Sequence, residues 1–169
     1  LKDAIDLAHL NAAGAPERQE IFRAVCHSRK WASELSQSAP YQSLADLRKK
    51  SADAWSRCDK QDWMEALGGH PRIGEKAAGS DLASKWSRGE QSKAATADEA
   101  LKAELLAKQV AYEKKFGFIF LICASGRSSL EILAALDHRM EQQPDAELQT
   151  VAQELGKIIQ LRLEKLLEP

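Results

Sequence analysis

Apolar residues recur along this chain at three- and four-residue intervals, the spacing that gathers them on one face of an α-helix. Asp3–Leu10 carries Ile5, Leu7, Ala8 and Leu10 in that register, and a Gly14–Pro16 break follows. Pro16 suits a helix first turn, and Glu17–His27 then presents Ile21, Phe22 and Val25. A short helix is predicted over Trp31–Gln37, stopping before Pro40. Ser43 is a plausible N-cap for a helix carrying Leu44, Leu47 and Trp55. Gln61–Leu67 and Asp81–Trp86 read as two more short helices. Thr96 with Glu99 forms a capping-box pattern ahead of a long helix. That helix carries Leu101, Leu105, Leu106, Val110 and Tyr112 and ends near Phe116-Gly117. Ser129–Met140 and Asp145–Leu167 close the chain, parted by Gln143-Pro144. The only strand-like run is Phe116–Ala124; one strand has nothing to pair with, so it reads as a buried extended passage or, alternatively, one that finishes as a buried helical turn. The pattern therefore predicts an all-α, single-domain bundle of about seven to nine helices over residues 1–169, with one buried extended stretch.

Composition narrows the function classes. With 169 residues the chain is long enough to bury one proper core. Lys and Arg number 24 against 25 Asp and Glu, so no basic excess points to nucleic acid or to an anionic membrane surface. No apolar run approaches the ~20 residues of a membrane span. Cys26, Cys58 and Cys123 are odd in number and lack metal-type spacing, which favours a reducing compartment. No signal-peptide pattern opens the sequence, and the last residues are not a peroxisomal Ser-Lys-Leu tail, so a cytoplasmic location is expected. His9, His27, His70 and His138 are scattered, with no pair at ligand spacing, so no metal site is expected.

Three places break the helical pattern in ways that bear on chemistry. Gly68-Gly69-His70-Pro71-Arg72-Ile73-Gly74-Glu75-Lys76 places three glycines and a proline around one histidine. Pro71 disfavours helical geometry at His70, and the glycines allow unusual backbone angles or close approach. Histidine exchanges protons near neutral pH, so this bend either displays an acid/base or is a helix-ending turn with an idle ring. Arg162 sits in the middle of the stripe formed by Leu148, Val151, Leu155, Ile158, Ile159 and Leu166. A guanidinium there must meet a structural carboxylate or a bound anion, because a lone buried charge is too costly. Ser87-Arg88-Gly89-Glu90-Gln91 holds a carboxylate able to support a histidine, or else is an exposed polar helix end.

Taken together, these residues resemble one family, the decarboxylases of 2-oxo-4-hydroxy-4-carboxy-5-ureidoimidazoline (OHCU). His70-Pro71 within His-Pro-Arg-Ile-Gly resembles its His-Pro signature, and Ser87–Gln91 resembles its Ser-x-x-Glu-Gln. Tyr112 with Phe116-Gly117-Phe118-Ile119-Phe120 is similar to its Tyr-x-x-x-Phe-Gly-Phe-Pro-Phe run, with Ile119 in place of the proline. Leu161-Arg162-Leu163 resembles the Arg-Leu element of its last helix, while His27 to Trp31 and Pro40-Tyr41 echo weaker landmarks. Ala39 stands where arginine is common, and Ser92-Lys93-Ala94-Ala95 replaces a Gly-Ala-Gly segment. The resemblance implies an all-α, cofactor-free decarboxylase, often dimeric, forming (S)-allantoin in urate degradation. It implies His70 as acid/base, Glu90 as its partner and Arg162 as substrate anchor. Pro71, Ser87, Arg88, Gly89, Glu90, Gln91, Phe120, Leu121, Ile122, Cys123 and Ala124 would line the substrate. The alternatives are a non-enzymatic helical adaptor, or a cofactor-free lyase or hydrolase acting on a related ureido compound.

Overall fold

The computed structural model describes residues 5–75, 82–94 and 99–168. These form nine helices and, among the described residues, no strand: an all-α fold. In order they are α1 (Leu7–Ala12), α2 (Ala15–Val25), α3 (Arg29–Gln37), α4 (Leu44–Ser56), α5 (Lys60–Leu67), α6 (Leu82–Glu90), α7 (Glu99–Phe116), α8 (Ser129–Met140) and α9 (Pro144–Leu166).

Local chemistry accounts for most boundaries. Asp6 caps α1 by accepting from His9 N–H at 2.7 Å, whereas Asp3 lies outside the described residues. The predicted helix through His27 stops at Val25, because the buried Ser28 takes extended backbone to cap α3 and accepts from Trp31 N–H. Ser43 caps α4 as expected. Asp59 with Asp62, and Ser128 with Glu131, close capping boxes on α5 and α8. Thr96, the predicted cap of α7, lies outside the described residues. The segment expected to stop at Trp86 continues one turn further, so Ser87, Arg88, Gly89 and Glu90 are helical.

The chain divides into two compact units, Leu1–Gly69 with Gly156–Pro169, and His70–Leu155. In the first, α3 packs on α2, α4 and α5. Phe22 meets Trp31 and Tyr41 edge-on, both ring pairs at 6.0 Å, and all three side chains are buried. Burying each such side chain stabilises by about 1.5–3 kcal/mol. In the second, α7 packs on α8, and Leu105, Tyr112, Phe116, Phe120, Ile122, Ile132 and Leu136 form one core.

Within α7 the sequence reading needs a correction. Leu106 and Val110 are 53% and 59% exposed, while Gln109 is 1% exposed. The inward stripe is Leu101, Leu105, Gln109, Tyr112 and Phe116, at steps of four, four, three and four. Leu106 and Val110 fall more than about 90° away from it at 100° per residue. After Phe116, Gly117 takes φ +80° and the chain runs through Phe120–Ala124 without helix or strand, largely buried, as expected for the extended stretch.

Candidate active site

His70 opens the second unit on an irregular, half-buried turn, as its proline neighbour requires. Two of the three glycines around it have a definite reason. A Cβ on Gly69 would fall 2.3 Å from the His27 ring, so only glycine admits that ring. Gly74 has φ +88°, the left-handed region that favours glycine. Gly89, by contrast, lies inside α6 without a positive φ, and a Cβ there would meet nothing.

Side chains of α7, and of Gln91 just beyond α6, grip the turn. Gln109 of α7 pairs with both backbone groups of Ile73: Ile73 N–H donates to Oε1 at 3.0 Å, and Nε2 donates to Ile73 C=O at 2.9 Å. One helical turn on, Glu113 takes the Arg72 guanidinium in a fork, Nε to one oxygen and Nη2 to the other at 2.9 Å. The Arg72 guanidinium holds the Glu113 carboxyl below its ordinary range. Gly74 N–H donates to Gln91 Oε1 at 2.9 Å, which ties the His70 turn to the Ser87–Gln91 segment. On α6, Ser87 and Glu90 are buried and Arg88 and Gly89 are exposed.

The Phe120–Ala124 stretch is joined to the same region. Lys93 Nζ donates to Gly126 C=O at 2.9 Å, and Ser129 Oγ donates to Ala94 C=O at 2.7 Å. With no strand beside it, the stretch finds side-chain partners for its buried backbone groups. Arg139 Nη1 donates to Leu121 C=O at 2.7 Å, Cys123 N–H donates to Glu154 Oε2 at 2.8 Å, and Arg127 Nε donates to Cys123 C=O at 3.1 Å. Arg139 is itself fixed by Glu147 at 2.6–2.8 Å and lies 4.6 Å over the Phe120 ring. Tyr112 O–H donates to the same Glu147 oxygen, and burial first, then the carboxylate, pushes that phenol upward.

Of the predicted residues, the second unit therefore contains His70, Pro71, Ser87 to Gln91 and Phe120 to Ala124. Arg162 belongs to the first unit, where it is 1% exposed and Nη1 donates to Val25 C=O at 3.2 Å. Cys26 and Cys58 are buried, and burial pushes their thiols to about 12 and about 11, which removes them as thiolate nucleophiles. Sequence reasoning missed Gln109, Arg139, Glu147 and Glu154. The signal was the one that exposed Arg162: each is a polar or charged residue at an inward step of its helix.

The frame is all-α, with a histidine on a gripped turn that is tied to the segment carrying a buried carboxylate. The family is more specific: the chain belongs to the OHCU decarboxylase family, whose model matches residues 11–164. It is 40% identical over 153 residues to the uric acid degradation bifunctional protein TTL of Arabidopsis thaliana, covering 88% of this chain and 47% of that protein. The chain thus spans about half the length of that relative. It is 28% identical to the 2-oxo-4-hydroxy-4-carboxy-5-ureidoimidazoline decarboxylase of Halalkalicoccus jeotgali, covering 95% of this chain and 90% of that one. A crystal structure of OHCU decarboxylase in the presence of (S)-allantoin superposes with a TM-score of 0.77 at 37% identity, covering 88% of this chain and 97% of that chain.

Proposed function

We propose that this protein decarboxylates OHCU to (S)-allantoin and CO₂, without a cofactor, as a step of urate breakdown. The observation that carries the reading is the His70-Pro71 turn, tied through Gly74 to Gln91 of the Ser-x-x-Glu-Gln segment, in a chain of this family. When the bond to the carboxylate breaks, CO₂ leaves and the electron pair passes into the adjoining ring imine. That internal sink makes pyridoxal phosphate or a metal unnecessary to the chemistry. What remains is to hold the anion, stabilise the developing charge and deliver a proton to one face. His70 delivers it, Glu90 supports the ring, and Arg162 anchors the anionic substrate. Pro71, Ser87 to Gln91 and Phe120 to Ala124 line the site. The single match over residues 11–164 supports one functional domain.

A homodimer belongs to the same reading, supported by the outward stripe of Leu106 and Val110 on α7. A cytoplasmic setting is supported by three cysteines, an odd number without metal-type spacing. Among the described residues, no helix is long and apolar enough to cross a membrane.

The test is to follow freshly generated OHCU to allantoin by circular dichroism, with exhaustive chelation as one arm. Wild type is expected to give the S enantiomer with or without chelator. His70→Asn is expected to lose about 10²–10⁴-fold in turnover with its helical content intact. Near-normal turnover in His70→Asn, or a loss on chelation restored by one metal, would overturn the assignment.

A further inference from the structure

Gln109 is a polar side chain at an inward position of α7, 1% exposed, among Leu105, Tyr112 and Phe116. Burying an amide costs stability unless its groups are bonded. Here both bonds go to one residue, Ile73, in the manner of a single rung between antiparallel strands. Ile73 is also held on its other side, since its own side chain is 8% exposed within the core of the second unit. Arg72 before it is forked by Glu113, and Gly74 after it is held by Gln91. Three consecutive residues, beginning two positions after His70, are therefore gripped at the backbone or the side chain. His70 itself precedes Pro71, whose φ is set by its ring, so little freedom separates the gripped residues from the histidine.

We infer that Gln109 is a positioning residue for the proton transfer. Its amide fixes the Ile73 peptide, and through Pro71 this fixes the direction in which His70 presents its ring. The inference rests on the reading of His70 as the acid/base. Effective acid–base catalysis needs the ring within hydrogen-bond reach of its target, and a displacement of about 1 Å can cost 10²-fold. A residue of this kind governs turnover more than substrate affinity, because its contribution is made where the proton moves. A filler that merely satisfies a buried peptide would change stability and leave the kinetics of the surviving folded molecules alone.

Two variants separate these. Gln109→Met keeps the volume and removes both bonds. Gln109→Glu keeps an acceptor for Ile73 N–H, but donates to Ile73 C=O only when protonated. For Gln109→Met, at temperatures well below its unfolding midpoint, kcat is expected to fall at least tenfold with KM changed less than threefold. Amide hydrogen exchange in the 70–75 segment should rise tenfold or more, with α8 unaffected. The kcat of Gln109→Glu relative to wild type is expected to climb as pH falls and its carboxyl regains the donor. If Gln109→Met does not fold, the Gln109→Glu profile decides. Wild-type kcat in either folded variant, or a loss that tracks only the fraction unfolded, overturns the inference. Wild-type protein inert toward OHCU would instead overturn the proposed function. In that event the exchange rates and the NMR titration of the His70 ring still report whether Gln109 orders the turn, and unchanged values in Gln109→Met reject it.

Discussion

Arg162 is among the largest fully buried side chains, and its burial has a cost that its role must offset. One of its hydrogen bonds goes to the Val25 carbonyl, a neutral acceptor. If the residue anchors substrate, Arg162→Lys keeps the charge but loses the planar fork, and activity is expected to fall by orders of magnitude with thermal stability nearly unchanged. If substrate rather than a buried carboxylate answers its charge, Arg162→Met strands no partner and places an apolar chain in an apolar stripe, so the loss in stability should stay below about 3 kcal/mol. A loss of about 3–5 kcal/mol in urea would mean a stranded buried partner charge and would sink the anchor role. Arg162 was legible in the sequence because a charge in an apolar stripe contradicts its surroundings. The His70 turn was legible because glycine and proline restrict the backbone through local sterics. What holds that turn was not: Gln109 lies 36 residues away, and only tertiary packing brings its amide to Ile73.

At the scale of elements, the extended Phe120–Ala124 stretch shows how an irregular segment survives inside a helical unit. Helices satisfy their own backbone groups, so they tolerate burial, whereas this stretch depends on Arg139, Glu154 and Arg127. Sequence pattern identified the stretch as extended and unpaired, since no second strand existed. It could not name the partners, which come from α8, α9 and the turn ahead of α8. Arg139 and Glu147 are 6% and 0% exposed at the side chain, and removing one strands the other. Arg139→Met is therefore expected to cost about 3–5 kcal/mol, measured by urea denaturation. Arg139→Met with Glu147→Leu should recover much of that, because no buried charge is then left alone. If the single variant costs less than about 1 kcal/mol, on the scale of an ordinary hydrogen bond, the pair is not what secures Leu121.

For the whole molecule, the open question is what covers the outer side of α7, which carries Ala103, Leu106, Ala107 and Val110 in water. Isolated exposed apolar residues are ordinary, but these recur at steps of three, one and three along one side of an 18-residue helix. A two-fold axis makes a surface meet itself, so the stripe must be complementary to its own reverse. Antiparallel pairing centred between Leu106 and Ala107 meets that condition. It sets Leu106 against the second copy's Ala107, Ala103 against Val110, and Glu99 against Lys114, with a large residue opposite a small one and opposite charges at the ends. Glu99, 91% exposed at its side chain, has room to turn toward such a partner. Val110→Glu would bring an uncompensated carboxylate onto an apolar surface in both copies. If the proposed homodimer forms through this face, the variant is expected to shift it to monomer in sedimentation velocity at micromolar concentration, with the helical signal unchanged. Leu106→Glu should do the same, and Glu99→Lys with Lys114→Glu should restore what either charge reversal alone weakens. A dimer that persists at wild-type strength in Val110→Glu and Leu106→Glu would place the interface elsewhere, and the outer face of α7 would then be a solvent-exposed surface with no assembly role.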